Sequence, residues 1–166
     1  MKKLFLAVIV IAFGFTANAQ DGKCQGNFGI GVSAGLPTGD VSDAYTFSLG
    51  LDVNYLFEVS ETFDVGPSVS YLTFFGGEIS GFDIDNASFL PISAAARVYV
   101  GDSFAIGADI GYALGLSPDD NDGGFYYAPR IQYGVSDDID IVAAYTGISV
   151  DGGSFNSINL GVNFGL

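Results

Sequence analysis

Residues 158–166 read INLGVNFGL, and the fold can be read from this short stretch outward. Taken alternately, Ile158, Leu160, Val162, Phe164 and Leu166 fall on one side. Asn159, Gly161, Asn163 and Gly165 fall on the other. A β-strand sends successive side chains to opposite faces. The stretch is therefore a ribbon with one wholly apolar face and one small, polar face. Such a ribbon suits a wall whose outer face meets lipid and whose inner face lines a narrow polar lumen.

Working outward, the same alternation recurs at 27–36, 45–57, 63–75, 88–100, 104–116, 125–135 and 139–150, which makes eight strands in all. In 45–57, Tyr45, Phe47, Leu49, Leu51, Val53, Tyr55 and Phe57 share a face opposite Thr46, Ser48, Gly50, Asp52 and Asn54. In 104–116, Ile106, Ala108, Ile110 and Tyr112 oppose Ala105, Gly107, Asp109 and Gly111. Pro67 cannot donate to a ladder, so a bulge or local break is expected near it. The alternation of 139–150 blurs after Tyr145. Longer connections (37–44, 76–87, 117–124) alternate with tight ones (58–62, 101–103, 136–138), and 151–155 forms the last loop. An even strand count with long loops at one end and short turns at the other describes an eight-stranded antiparallel up-and-down transmembrane β-barrel. The long loops would face outward and both termini inward, toward the periplasm.

A soluble eight-stranded barrel of the lipocalin kind would turn its apolar face inward, around a ligand. Here the polar face is mostly Gly, Ala, Ser, Asn and Thr, and the apolar face holds the bulky side chains. An eight-stranded interior is just wide enough for side chains to fill, so small residues belong inside and large ones on lipid. Aromatics gather at strand ends (Tyr45, Phe57, Phe63, Phe75, Phe89, Tyr99, Phe104, Phe125, Phe155), as the two interfacial girdles of such a barrel require.

The N-terminus has the form of a secretory signal. Lys2 and Lys3 precede an apolar run, and Ala17-Asn18-Ala19 is a small-x-small cleavage site. The expected organisation is a signal peptide at 1–19, a short leader at 20–26 and a barrel domain at 27–166. Cleavage would leave Lys23, Arg97 and Arg130 as the only cations against 19 acidic residues in the full chain. That balance excludes nucleic acid as a partner, because little could neutralise its phosphates. Cys24 is the single cysteine, so no internal disulfide can form, and it reads as a free thiol in the leader.

The cleavable signal, the eightfold alternation and the Gly-rich, acidic mature chain resemble the small outer-membrane β-barrel proteins of Gram-negative bacteria, of the OmpA/OmpX type. In texture, including the strand with Leu90-Pro91-Ile92, the chain is similar to the β-barrel domain widespread in Bacteroidetes. The resemblance covers residues 27–166. It implies Sec-dependent export, insertion by the barrel assembly machinery, contact with outer-membrane lipid and lipopolysaccharide, and a monomeric state.

Enzymatic chemistry has little to work with. The chain contains no His, so no Ser-His or Asp-His pair can activate a nucleophile. The run Asp119-Asp120-Asn121-Asp122-Gly123 lacks calcium-loop spacing, since Pro118 and Pro129 stand where the first and last ligands belong. Asp119, Asp120 and Asp122 are read as a solvated acidic extracellular loop, with no metal and no cofactor expected.

The most specific polar feature is internal. Asp52, Asp64, Arg97, Asp109 and Arg130 all fall on lumen-facing registers. A charge facing lipid at mid-depth costs about 2–4 kcal/mol, which enforces the inward phase. In so narrow a lumen these charges should pair. Closing the hairpin around Leu116 and Phe125 would place Gln132 opposite Asp109 and Arg130 opposite Gly111, making Arg130 and Asp109 diagonal partners. The network reads as a polar plug, with a selective pore as the alternative. The functional expectation is a non-enzymatic structural or surface-interaction barrel. The alternatives are a narrow channel for small solutes or ions, or an accessory subunit of a transport machine.

Overall fold

The computed structural model describes residues 26–79 and 81–166. The expected signal peptide, Lys23 and Cys24 lie outside the described residues. The first three strands are β1 (Gly26–Thr38), β2 (Tyr45–Ser60) and β3 (Phe63–Gly76). The loop after β3 carries a small ribbon of β4 (Glu78–Ile79) and β5 (Phe82–Asp83). Then follow β6 (Ala87–Val100), β7 (Phe104–Ser117), β8 (Gly124–Ser136), β9 (Ile139–Val150) and β10 (Gly153–Gly165). The eight long strands form a closed antiparallel barrel in which each pairs with its sequence neighbours and β10 returns to β1. Closure leaves no unpaired edge.

The alternation places the side chains as expected over most of the wall. Leu36, Leu51, Ile110, Ile131, Ile158 and Leu160 point outward and are exposed on the isolated barrel. Lipid takes each of them out of water, at about 1.5–3 kcal/mol for a whole side chain. Ser48, Ser68, Ser93, Asn159, Asp64, Arg97, Asp109 and Arg130 point inward and are buried, and Asp52 is half-buried.

Pro67, Pro91 and Pro129 each interrupt one of the two ladders of their strand. β2 and β3 pair Asn54 with Ser68 and Phe57 with Val65, skipping the rungs at Pro67 and Gly66. Across the other edge, Pro67 pairs with Ala94. Pro91 sits at a gap in the β3–β6 ladder and Pro129 at a gap in the β8–β9 ladder. A strand residue directs its N–H toward one neighbour only, so a missing donor opens one side. The register resumes unchanged beyond each gap, so the local break expected at Pro67 occurs without a bulge.

Three expectations need correction. The last connection is a tight turn at Asp151 and Gly152, not a five-residue loop, and β10 already begins at Gly153. Gly152 adopts φ +87°, where a side chain would be strained. Second, a register shift between Tyr45 and Phe47 turns Tyr45 inward, although alternation alone puts it outside. Third, β9 keeps its phase to the end. Thr146 and Ile148 are buried inside, and Ser149 faces out. The pattern blurs in sequence because the inward residues become apolar there.

Candidate functional site

The lumen holds three layers. The middle layer is charged. Asp109 on β7 is fully buried and accepts from both arginines. Arg97 on β6 donates from Nη1 to Asp109 Oδ1 at 2.7 Å, and Arg130 on β8 donates from Nη2 to Asp109 Oδ2. Asp52 on β2 approaches Arg130 from across the lumen at 4.0 Å. Asp109 thus bridges two guanidinium groups, each drawn from an adjacent strand, and Asp52 supplies a second negative charge beside Arg130.

Gly107 is what admits this geometry. It pairs with Arg97 on one side and Arg130 on the other. A Cβ there would collide with the Arg97 side chain and the Ala96 carbonyl. Glycine leaves room for Arg97 to lie across β7 toward Asp109.

Of the five residues the sequence assigned to the network, four converge. Asp64 does not. It pairs directly with Arg97 across the β3–β6 ladder, yet its carboxylate accepts a hydrogen bond from Tyr99 Oη at 2.8 Å. The pairing of Arg130 with Asp109 is present, but through a different register. Gly107, not Gly111, lies opposite Arg130, and Ala128 and not Gln132 lies opposite Asp109. The last β7–β8 rung is Ala113 to Gly124, while β7 runs on to Ser117, which pairs with Ser88 on β6.

The layer nearest the long loops is apolar and aromatic. Phe74 and Phe89 are fully buried and meet edge to face, and Phe155 and Tyr45 pack against them. Leu72, Tyr126 and Ile148 complete the cluster. Position at a strand end assigns Tyr45, Phe89 and Phe155 to the lipid-facing girdles, which hides this layer from the sequence. The signal was there in the alternation. Phe74 shares the parity of Ser68 and Ser70, Phe89 that of Ser93, and Phe155 that of Ser157 and Asn159. Tyr99 also belongs inside, through its bond to Asp64. Beneath the aromatics, Asn159 ties the wall together, donating to Thr146 Oγ1 at 3.0 Å and Ser157 Oγ at 2.9 Å while accepting from Ser48 Oγ at 3.2 Å.

Toward the short turns the lumen opens into a cavity of about 590 Å³. Its mouth carries Asp102, Asp137, Asp138 and Asp140, and Arg97 forms its floor. A second cavity of about 30 Å³ lies beside Arg130 and Asp52, with room for a water molecule or two. Asn163 borders both.

Asp119, Asp120 and Asp122 are exposed in the loop between β7 and β8. Asn121 anchors that loop, donating to the carbonyls of Ser117 and Ser88. Among the described residues, no three acidic, His or Cys side chains converge as a metal site would need.

The sequence matches the profile of the outer membrane protein beta-barrel domain over residues 6–165. No curated protein matches it. Among solved structures it is similar to Ail, the attachment invasion locus protein of Yersinia pestis, in phospholipid bilayer nanodiscs. That likeness has 16% identity and a TM-score of 0.59, and covers 86% of this chain and 100% of the other. It is also similar to the N-terminal β-barrel domain of Pseudomonas aeruginosa OprF, at 12% identity and a TM-score of 0.51, over 86% of this chain and 100% of the other. A de novo designed transmembrane β-barrel matches at 13% identity and a TM-score of 0.55, over 84% of this chain and 95% of the other. At these identities the structural likeness concerns the fold.

Proposed function

Since the chain belongs to the outer membrane protein β-barrel domain family, and so to the outer membrane, we propose that it is a non-enzymatic barrel with a closed lumen that acts through its surface. The observation that carries this reading is the layered filling of the lumen. The aromatic layer of Phe74, Phe89, Phe155 and Tyr45 obstructs one end, and the Arg97–Asp109–Arg130 belt crosses the middle. A path for solutes would have to displace both. Purified protein in planar bilayers should show no reproducible unitary current. Regular single-channel steps would overturn the reading in favour of a narrow channel, which the turn-side cavity favours.

The long loops face outward in this proposal, after Sec-dependent export across the inner membrane of a Gram-negative cell and insertion by the barrel assembly machinery. The described loops carry acidic residues and no basic ones, because the only described cations are Arg97 and Arg130 in the lumen. Contact with lipopolysaccharide phosphates would then run through bridging divalent cations rather than direct ion pairs. An epitope inserted in the connection containing β4 and β5 should be labelled on intact cells. Labelling only after permeabilisation would invert the orientation.

A further inference from the structure

We propose that the turn-side cavity binds an extended polyammonium ion, of which a linear polyamine is the simplest member. The cavity is about 590 Å³, within the size range of small-ligand sites. Four carboxylates stand around its mouth, from the turn after β6 (Asp102), the turn after β8 (Asp137, Asp138) and the start of β9 (Asp140). Arg97 at the floor is already engaged by Asp109, so it does not cancel the charge of the mouth.

A second, independent feature points to a ligand. Gln132 faces this cavity, is only 8% exposed, and has no side-chain hydrogen-bond partner among the described residues. Its amide opens onto the cavity, with its donor and acceptor free for whatever enters. Asn54 and Asn163 line the same wall and present further amide groups.

The spacing of the charges selects the class of ligand. Among the described residues, no three carboxylates converge tightly enough to enclose a metal ion. The negative charge is spread around a mouth instead of focused at a point. An elongated ligand with several separated ammonium groups satisfies such a ring. It can also donate to the amide oxygens below, and its outer end stays clear of the positive floor.

The test is titration of the full chain in non-ionic detergent with spermidine as the probe, read by calorimetry. Saturable binding at one equivalent is expected. Replacing Asp137, Asp138 and Asp140 together by Asn should weaken it about tenfold or more, and added salt should do the same. Gln132→Leu leaves the net charge unchanged and should weaken binding severalfold. Should the triple variant fail to fold, Gln132→Leu alone decides. Replacing Asp119, Asp120 and Asp122 by Asn removes the same charge from the opposite end and should leave affinity unchanged. An equal loss in that control would reduce the effect to diffuse attraction and overturn the proposal. So would full displacement of spermidine by equimolar magnesium, or the absence of saturable binding.

Discussion

Toward the long loops, the lumen is packed with Phe74, Phe89, Phe155 and Tyr45. Toward the short turns, the same strands surround an open cavity rimmed by Asp102, Asp137, Asp138 and Asp140. The Arg97–Asp109–Arg130 belt lies between them. The wall is one continuous sheet whose faces alternate except at Tyr45, so the difference lies mainly in which side chains occupy the inward positions. The two fillings carry different tasks. An apolar cluster excludes water without requiring exact partners, so it can close the lumen by volume. A charged belt holds only if every member is neutralised, so it joins particular strands. Closure therefore rests on the loop half, and the joining of β6, β7 and β8 rests on the belt.

The largest expected effect tests the belt. Asp109→Ala removes the hydrogen-bonded carboxylate of two buried arginines, leaving only Asp52 near Arg130, and should lower stability by about 3–5 kcal/mol, read as the urea midpoint in detergent. Arg130→Ala should cost less, because the Arg97 pair with Asp109 survives at 2.7 Å. The double variant should recover only part of the loss, since Arg97 then stands alone. Strict additivity of the two single effects would show that Arg130 and Asp109 are not coupled.

Phe74→Ala should come next, toward the lower end of the ~3–5 kcal/mol usual for a buried Phe, because Phe89 and Phe155 can settle into the gap. Combined with Phe155→Ala it should also introduce a conductance in planar bilayers, whereas Asp109→Ala should not. The reverse outcome would move closure from the aromatic layer to the belt.

Gly107→Ala sharpens the comparison at smaller scale. The added methyl meets Arg97 and should cost about 1–3 kcal/mol as overpacking. The smallest effect belongs outside the lumen. Replacing Asp119, Asp120 and Asp122 by Asn should leave the unfolding midpoint unchanged, since all three are exposed and none is an ion-pair member.

The sequence by itself determined the eight strands of the barrel, the face of most of their residues, the antiparallel order and the inward placement of all five lumenal charges. Each of these follows from a local rule: a strand alternates with period two, short connections join neighbours, and a charge is excluded from lipid. The aromatic layer was also within reach of that rule, and was missed when position near a strand end was allowed to outweigh parity at Phe89 and Phe155. The tertiary structure alone decided the rest. The β7–β8 register differs by four residues from the one expected, and an even slip leaves every side chain on its own face, so alternation cannot detect it. The same slip keeps Arg130 diagonal to Asp109, which is why the pair was legible although its rung was not. Tyr45 turned inward through an irregularity in the β2–β3 ladder, Asp64 bonded to Tyr99, and Asp109 gathered both arginines. Each of these depends on how two or three strands sit against one another. Parity belongs to a single strand and is written in its residues, whereas register belongs to a pair and is set by how the loop between them folds.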